Sequence, residues 1–243
     1  MDKRLKDRIA LVTGASRGYG AGIAEQLVAE GARVWIAARS AGDLAAVARR
    51  VGAQAVPADV TRGEDWDRLL AAVTAGGGRL DILVNNAGGT VRVAPLAEWA
   101  DEEVQRELAL NLTGAILGCR RAAALMQKQK SGTIVNVASV CAVEAWPQWG
   151  VYFAAKAGLL QLTKCLYAEL RPHGARATCL IPSWGATNFS RAAGLPVVNP
   201  ATAAKSIQPL ELGRVVADIC ALPAHLSIQE LILWPLVQEV SPL

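Results

Sequence analysis

The residues best suited to chemistry lie between Ser139 and Lys156. Tyr152 and Lys156 are four residues apart in an alanine- and leucine-rich segment typical of a helix, so both side chains are expected on one helix face. An ammonium within about 4–6 Å lowers the pKa of a phenol, which is about 10 in water, by roughly 1–3 units. Tyr152 could then exchange a proton near neutral pH, while Ser139, which follows the apolar run 133–138, could hold a substrate oxygen. This spacing also occurs by chance, so an ordinary helical pair is the alternative.

A glycine-rich turn near the N-terminus carries a second chemical signal. The apolar run 9–13 leads into the glycine-rich segment 14–20, and a helical pattern follows over 21–30. Glycines let a backbone approach a pyrophosphate, and a helix N-terminus offers free N–H groups and the positive end of its dipole. The spacing is GxxxGxG rather than GxGxxG, and a turn that merely reverses the chain is the alternative.

Composition narrows the function classes. The chain has 243 residues, of which 52% are hydrophobic and 19% charged, and this fits one large α/β domain. The net charge of +4 is mild and no basic tract is present, which argues against nucleic-acid binding. The polar start and short apolar runs predict neither a signal peptide nor a membrane span, so a cytoplasmic location is expected. Five scattered cysteines predict reduced, buried thiols, and two distant histidines predict no catalytic metal.

Apolar runs alternate with helical patterns along the whole chain. This alternation predicts an α/β doubly wound parallel sheet of about seven strands in a single domain over residues 1–243. Residues 183–210 are polar and contain glycine and proline, and they are predicted to form a substrate flap within that domain. Strands are expected at 9–13, 34–38, 53–57, 82–84, 133–138, 177–181 and 230–234, and helices at 21–30, 43–51, 64–75, 101–130, 152–171 and 209–221.

Six motifs occur in a specific order: Thr13-Gly14-x-x-x-Gly18-x-Gly20, Asp59, Asn85-Asn86-Ala87-Gly88, Asn111, Ser139 and Tyr152-x-x-x-Lys156. In this order and spacing, and over essentially its full length, the chain resembles the short-chain dehydrogenases/reductases. The resemblance implies a Rossmann-type fold, use of NAD(P)(H), and interconversion of carbonyls and alcohols.

The resemblance also implies roles for four residues. Tyr152 would be the acid in reduction and the base in oxidation, and Ser139 would hold the reacting oxygen. Lys156 would lower the pKa of Tyr152 and hold the nicotinamide ribose, while Asn111 would position a water that relays protons to Lys156. The alternatives are that Asn111 bonds helix backbone and that Ser139 caps the strand end.

By the same resemblance, the cofactor would contact residues from five parts of the chain. They are Gly14, Ser16, Arg17, Gly18, Tyr19 and Gly20; Arg39 and Ser40; Asp59 and Val60; Asn86, Ala87 and Gly88; and Tyr152, Lys156, Pro182 and Thr187. Three positions depart from the family pattern: Tyr19 replaces an aliphatic residue, Ser183 replaces a glycine, and the C-terminal region lacks Asp-Gly-Gly. The change at Ser183 leaves the local backbone path open, since serine tolerates fewer conformations than glycine.

Two arginines favour NADPH (NADP+) as the cofactor. In this fold the end of the second strand reaches the adenosine ribose, where an acidic residue would accept hydrogen bonds from a 2′-hydroxyl and repel a 2′-phosphate. Arg39 and Ser40 stand there without a carboxylate, and Arg17 lies in the glycine turn. Guanidinium groups match phosphate geometry. The alternative is that both arginines are solvated surface residues.

The substrate is indicated by three tryptophans. Trp146, Trp149 and Trp184 lie on loops that border the substrate pocket in this fold, which favours an apolar or ring-containing carbonyl compound. They could instead pack the loops or a subunit interface.

The sequence thus predicts an NADPH-dependent carbonyl (ketone) reductase. Alternatives are an alcohol dehydrogenase that works oxidatively, an imine reductase, or a cofactor-binding protein without turnover. A homotetramer or homodimer is expected through the helices that carry Asn111 and Tyr152.

Overall fold

Seven strands form one parallel sheet in the order β3-β2-β1-β4-β5-β6-β7, which confirms the predicted fold class. The computed structural model describes residues 3–196 and 199–238. The strands are β1 (Ile9–Thr13), β2 (Arg33–Ala38), β3 (Gln54–Pro57), β4 (Ile82–Asn85), β5 (Gly132–Val137), β6 (Ala175–Pro182) and β7 (Glu230–Leu233). The strand order reverses between β1 and β4, and the crevice at such a point is where open α/β sheets bind ligands.

Helices cover both faces of the sheet. They are α1 (Gly18–Ala29), α2 (Ala41–Val51), α3 (Gly63–Gly77), α4 (Asp101–Leu108), α5 (Gly114–Gln129), α6 (Gly150–Leu170), α7 (Phe189–Ala192), α8 (Pro200–Lys205) and α9 (Pro209–Ala221). No helix in the described ranges is long and apolar enough to cross a membrane.

The apolar side chains of β1 divide the core into two layers. Ala10 and Val12 pack with residues of α1, α2 and α9 on one face, and Ile9 and Leu11 pack with residues of α3, α5 and α6 on the other. Successive side chains of a strand point to opposite faces, so a strand buried on both sides must be apolar throughout. This explains why the run is continuous rather than alternating, and it fixes the end of β1 rigidly between two packed layers.

The bounds of several helices differ from the predicted bounds. Helix α1 begins at Gly18, inside the glycine turn, rather than at residue 21. The predicted helix 101–130 is divided into α4 and α5 by a π-helical turn, Ala109–Thr113, which contains Asn111. The predicted flap contains α7 and α8, its last two residues already belong to α9, and residues 197–198 lie outside the described ranges.

Candidate active site

The motif residues converge at the carboxyl edge of the sheet. The glycine turn follows β1, Asn86 to Gly88 follow β4, Ser139 follows β5, and Thr187 comes after β6. Because parallel strands all end at the same edge, residues far apart in sequence meet there. The residues meet next to the point where the strand order reverses, between β1 and β4.

The glycine turn has no room for side chains. Gly14 and Gly18 have φ of +66° and +55°, which side chains other than hydrogen rarely tolerate. A Cβ on Gly14 would lie 2.7 Å from the Cα of Ala87, so the turn packs directly on the chain after β4. Since α1 begins at Gly18, the free N–H groups of its first turn open toward this edge.

Asn86 and Thr13 hold the turn in place. The Asn86 Nδ2 donates to the carbonyl oxygens of Thr13 (2.9 Å) and Gly14 (3.2 Å). Thr13 Oγ1 accepts from the backbone N–H groups of Asn86 (3.1 Å) and Ala87 (3.2 Å). Asn86 was predicted to contact the cofactor, but these bonds commit its side-chain amide to shaping the turn.

Tyr152 and Ser139 meet at the start of α6. Tyr152 is buried, with 6% of its surface exposed. Burial raises its pKa, the Cys141 thiol acts in the same direction, and the Ser139 hydroxyl lowers the pKa through a hydrogen bond. Ser139 Oγ also accepts from the backbone N–H of Cys141 at 3.2 Å, so the capping alternative holds in part.

Lys156 lies behind Tyr152 in an apolar setting. Its Nζ donates to the carbonyl oxygen of Val137 at 3.1 Å and is 5.6 Å from the centre of the Tyr152 ring. Burial lowers the pKa of Lys156 to about 8. Burial is the main cause that raises the pKa of Tyr152, the charges of Cys141, Glu107 and Tyr19 act in the same direction, and the Ser139 hydrogen bond opposes them. That Lys156 lowers the pKa of Tyr152 stays a prediction.

Asn111 reaches the same place from the π-helical turn. Its Nδ2 donates to the Gly89 carbonyl (2.7 Å) and to the Glu107 carbonyl (3.0 Å), and its Oδ1 accepts from the Gly89 N–H (3.1 Å). The helix-backbone bond considered as an alternative is therefore present. A Cβ on Gly88 would lie 3.0 Å from Asn111 Oδ1 and 3.3 Å from Lys156 Nζ, so the two groups flank one small space.

Sequence reasoning missed Glu107. This side chain is fully buried, and its Oε1 accepts from Asn111 Nδ2 at 3.0 Å. Burial raises the pKa of Glu107, and the Lys156 charge opposes this. The available signal was spacing, since residues 107 and 111 are four apart and share one helix face.

The predicted contacts for the adenosine end lie in the glycine turn after β1 and at the ends of β2 and β3. Arg17, Arg39 and Ser40 are exposed. Neither guanidinium enters an ion pair formed by the described residues. The Asp59 carboxylate accepts from the N–H (2.9 Å) and Oγ1 (2.8 Å) of Thr61, and the Val60 carbonyl accepts from Trp66 Nε1 (2.9 Å). The arginines are thus available to a ligand, whereas Asp59 and Val60 already have partners in the protein.

Comparisons with known proteins decide the family. Residues 8–195 match the sequence profile of the short chain dehydrogenases. The chain belongs to the short-chain dehydrogenase family. A 1,6-dihydroxycyclohexa-2,4-diene-1-carboxylate dehydrogenase of Pseudomonas putida is 36% identical over 190 residues, which cover 75% of this chain and 68% of that enzyme.

Solved structures of other family members superimpose closely. A metagenomic short-chain oxidoreductase in complex with NADP has a TM-score of 0.83 and 31% identity, covering 96% of this chain and 98% of the other. A 3-ketoacyl-(acyl-carrier-protein) reductase from Brucella melitensis, complexed with NADH, has a TM-score of 0.88 and 28% identity, covering 96% and 99%. This short-chain dehydrogenase is an NAD(P)-dependent oxidoreductase that acts on hydroxyl or carbonyl groups.

In this short-chain dehydrogenase, the segment after β6 reaches back to the glycine turn. The Thr187 side chain lies 3.5 Å from where a Cβ of Gly18 would be, which brings a predicted cofactor residue to the turn. The Tyr19 hydroxyl occupies the space beside Gly185, and it has no hydrogen-bond partner among residues 3–196 and 199–238. The Tyr19 ring therefore packs against the flap, and its contact with a cofactor stays a prediction.

The departure at Ser183 leaves the backbone unstrained. Ser183 follows Pro182, the last residue of β6, and it is not among the described residues with positive φ. Its N–H donates to the Leu233 carbonyl at 2.9 Å and its hydroxyl donates to Gln238 Oε1. Serine fits because this position has ordinary backbone geometry.

The three tryptophans divide into different environments. The Trp149 ring lies 5.9 Å from that of Tyr152 and 6.3 Å, nearly parallel, from that of Phe189 on α7. Trp146 packs edge-on against Phe153, with the two ring centres 5.3 Å apart, so it lies behind the aromatic rings that are next to Tyr152. Trp184 is 48% exposed and forms no aromatic pair with these rings in the described structure. Trp149 and Phe189 form the aromatic wall beside Tyr152, and sequence reasoning missed Phe189.

Proposed function

We propose that this chain is an NADPH-dependent carbonyl reductase in which Tyr152 Oη donates the proton. The observation that carries the proposal is the burial of Tyr152, beside Ser139 and Lys156, at the sheet edge that holds the glycine turn. The turn fits a dinucleotide, because close backbone approach and an open helix N-terminus suit a pyrophosphate. The reduced nicotinamide, when bound, supplies the hydride.

Proton donation by Tyr152 depends on groups that stabilise the phenolate. Burial raises the pKa of Tyr152, so the phenol is protonated at neutral pH but is a weaker acid than a tyrosine in water. Ser139 Oγ donates a hydrogen bond to the substrate oxygen, which orients that oxygen toward Tyr152. As Tyr152 Oη releases its proton to this oxygen, negative charge develops on the phenol. Lys156, with its pKa near 8, is mostly an ammonium at pH 7, and its Nζ lies 5.6 Å from the centre of the Tyr152 ring, where it stabilises that charge.

The choice of NADPH rests on Arg39 and Arg17. Both side chains are exposed, and the end of β2 carries no carboxylate that would repel a 2′-phosphate. A hydrogen bond to a charged group contributes about 1.5–3 kcal/mol, and about 1.4 kcal/mol corresponds to a factor of ten. Two such bonds correspond to a preference of about 10²-fold or more over NADH. One similar structure holds NADP and another holds NADH, so the arginines carry this part of the proposal.

The proposed substrate is a ring-containing ketone. Trp149 and Phe189 present aromatic surface next to Tyr152, and flat rings pack well against such a wall. The Pseudomonas putida relative is named for a cyclic substrate, which supports the same class.

The proposed assembly is a homotetramer or homodimer through α5 and α6. Phe153 and Leu160 on α6 are buried in the subunit's own core and are not available to such a contact. Ala154, Ala157 and, on α5, Ile116 are exposed and would form the contact instead.

The test combines one substitution with a substrate panel. Tyr152→Phe removes the proton donor and little else, so turnover should fall about 10²–10⁴-fold while the Kd for NADPH stays unchanged. NADPH absorbance would be followed with cyclic, aryl and short acyclic ketones, and Kd would be measured by tryptophan fluorescence. Tyr167→Phe, on the same helix, is the control and should behave as wild type. A Tyr152→Phe variant within a few-fold of the wild-type rate would refute the role, and equal rates on all ketone classes would refute the ring preference.

A further inference from the structure

Helix α4 buries an acid where an apolar residue is expected. All eight residues of α4 are described, and the one that is buried is Glu107. Its carboxyl group is fully removed from solvent, whereas Asp101 and Glu102 on the same helix are exposed. Glutamate is among the residues least often fully buried, because desolvation of its charge is costly. A neutral polar side chain could form hydrogen bonds between α4 and the neighbouring loop without the cost of desolvating a charge. The presence of an acid at this position therefore needs a further explanation.

Both oxygens of Glu107 are used by groups next to the reactive residues. Oε2 accepts from the backbone N–H of Val91 at 2.6 Å and from Thr90 Oγ1 at 3.5 Å. Oε1 accepts from Asn111 Nδ2 at 3.0 Å. The carboxylate therefore adds a charged acceptor to the Gly89 backbone bonds that orient the Asn111 amide, and Asn111 Oδ1 is directed to the Gly89 N–H and the space shared with Lys156.

The same carboxylate acts electrostatically on α6. The Glu107 charge raises the pKa of Lys156, and it also raises the pKa of Tyr152. The other side of Glu107 presents Thr90 and the Val91 N–H, and the nearby Arg92 guanidinium is directed to Glu98 and Glu103. Cys141 and Cys179 also face Lys156, but burial raises the pKa of each thiol to about 11, so both are uncharged where Lys156 titrates.

We propose that Glu107 is a positioning residue for this site: it holds the Asn111 amide in one orientation and presents a negative charge to Lys156. The inference rests on the proposed function, since it assigns Glu107 a part in sustaining proton donation by Tyr152. Glu107 acts through Asn111 and Lys156 and does not touch the substrate. Its negative charge balances the ammonium of Lys156 in an environment where burial alone would favour the neutral amine.

The decisive variant is Glu107→Gln, which keeps the shape and removes the charge. It also directs an NH₂ group at either the Val91 N–H or Asn111 Nδ2, so the Asn111 amide is held less firmly, by its backbone partners alone. A misplacement of about 1 Å costs up to about 10²-fold in rate, and a loss of about 10- to 100-fold in kcat is expected with an unchanged Kd for NADPH. The alkaline limb of the kcat–pH profile should move to lower pH, because Lys156 loses a charge that holds its proton.

A second measurement does not depend on turnover. NMR titration of ¹³C-labelled lysines in the protein without cofactor follows Lys156 directly, and Glu107→Gln should lower the pH at which it titrates. Glu102→Gln, on the exposed face of the same helix, is the matched control and should change neither rate nor titration. If Glu107 had a purely structural role, Glu107→Gln would lower activity equally at all pH values. Neither the alkaline midpoint of the kcat–pH profile nor the titration midpoint of Lys156 would then move.

Each outcome decides something. If Glu107→Gln does not fold, Glu107→Asp withdraws the carboxylate by one methylene and should move both midpoints in the same direction by less. Unmoved midpoints in whichever variant folds would overturn the proposal. Tyr152→Phe is assayed alongside: if it keeps the wild-type rate, the proposed function fails, whereas a dead Tyr152→Phe with unmoved midpoints overturns the role of Glu107 alone.

Discussion

Replacing Lys156 with methionine should stabilise this short-chain dehydrogenase at neutral pH while abolishing its activity. Lys156 is 3% exposed, and burial lowers its pKa from 10.5 to about 8. Each pKa unit corresponds to about 1.4 kcal/mol, so holding the ammonium in the folded protein at pH 7 costs about 3 kcal/mol. Methionine has similar length without the charge but forfeits the hydrogen bond to the Val137 carbonyl, which contributes about 1 kcal/mol. The expected net gain is about 2 kcal/mol.

The sign of the pH dependence gives a second, independent check. Below pH 8 both the folded and unfolded chains hold the Lys156 proton, so the cost of the buried charge is fully present. Between pH 8 and 10.5 the folded protein releases this proton before the unfolded chain does, and wild-type stability rises relative to the variant. The gap between variant and wild type should therefore close over this interval. Urea unfolding at pH 7 and at about pH 9.5, at one protein concentration, measures it.

A lysine on the exposed side of the same helix provides the control. Lys164 is 42% exposed and pairs with Glu230 at 3.0 Å. Surface pairs contribute about 0–1 kcal/mol, so Lys164→Met should change the free energy of unfolding by no more than that at either pH. Two results would refute the conclusion that the buried charge of Lys156 destabilises the fold. One is a Lys156→Met variant that is less stable than wild type at pH 7. The other is a difference in the free energy of unfolding that has the same size at both pH values.

Two further predictions concern the cofactor and the assembly. Arg39→Asp should lower the ratio of kcat/KM for NADPH over NADH by about 10²-fold, since it removes a charge-assisted bond and adds repulsion; Arg49→Asp, on the exposed side of α2, should leave the ratio unchanged. Light scattering at micromolar concentration should give the mass of a tetramer or a dimer, and Ala157→Arg on the exposed face of α6 should reduce it; a wild-type monomer would contradict the proposed interface.

The strand layout was predictable because it depends on local signals. Each apolar run is short, and the helical segments between the runs favour parallel pairing of the strands. The π-helical turn over Ala109–Thr113 was not predictable. It shifts the helical register between α4 and α5 by one residue, and no residue type in the sequence signals this shift. That turn nevertheless decides where the Asn111 amide points.

Packing explains which contacts of the site the sequence did not show. The Asn86 amide bonds Thr13 and the Glu107 carboxylate bonds Val91, and both partners lie in segments that only the fold brings together. Glu107 follows three acids at the start of α4 and would be assigned to a solvated face by composition. Phe189 lies in a polar segment and gains its role from the position of α7 against Trp149.

The pKa of Tyr152 illustrates the same limit with a consequence for mechanism. The spacing of Tyr152 and Lys156 correctly places an ammonium near the phenol, but it contains no information on how much water both groups lose. In the folded protein desolvation raises the pKa of the tyrosine and lowers the pKa of the lysine, so it favours the neutral form of each side chain. Under the proposed function, this site holds its proton donor as a neutral phenol rather than as a phenolate. Lys156 and Glu107 then matter most at the moment when Tyr152 loses its proton and a negative charge must be stabilised away from water.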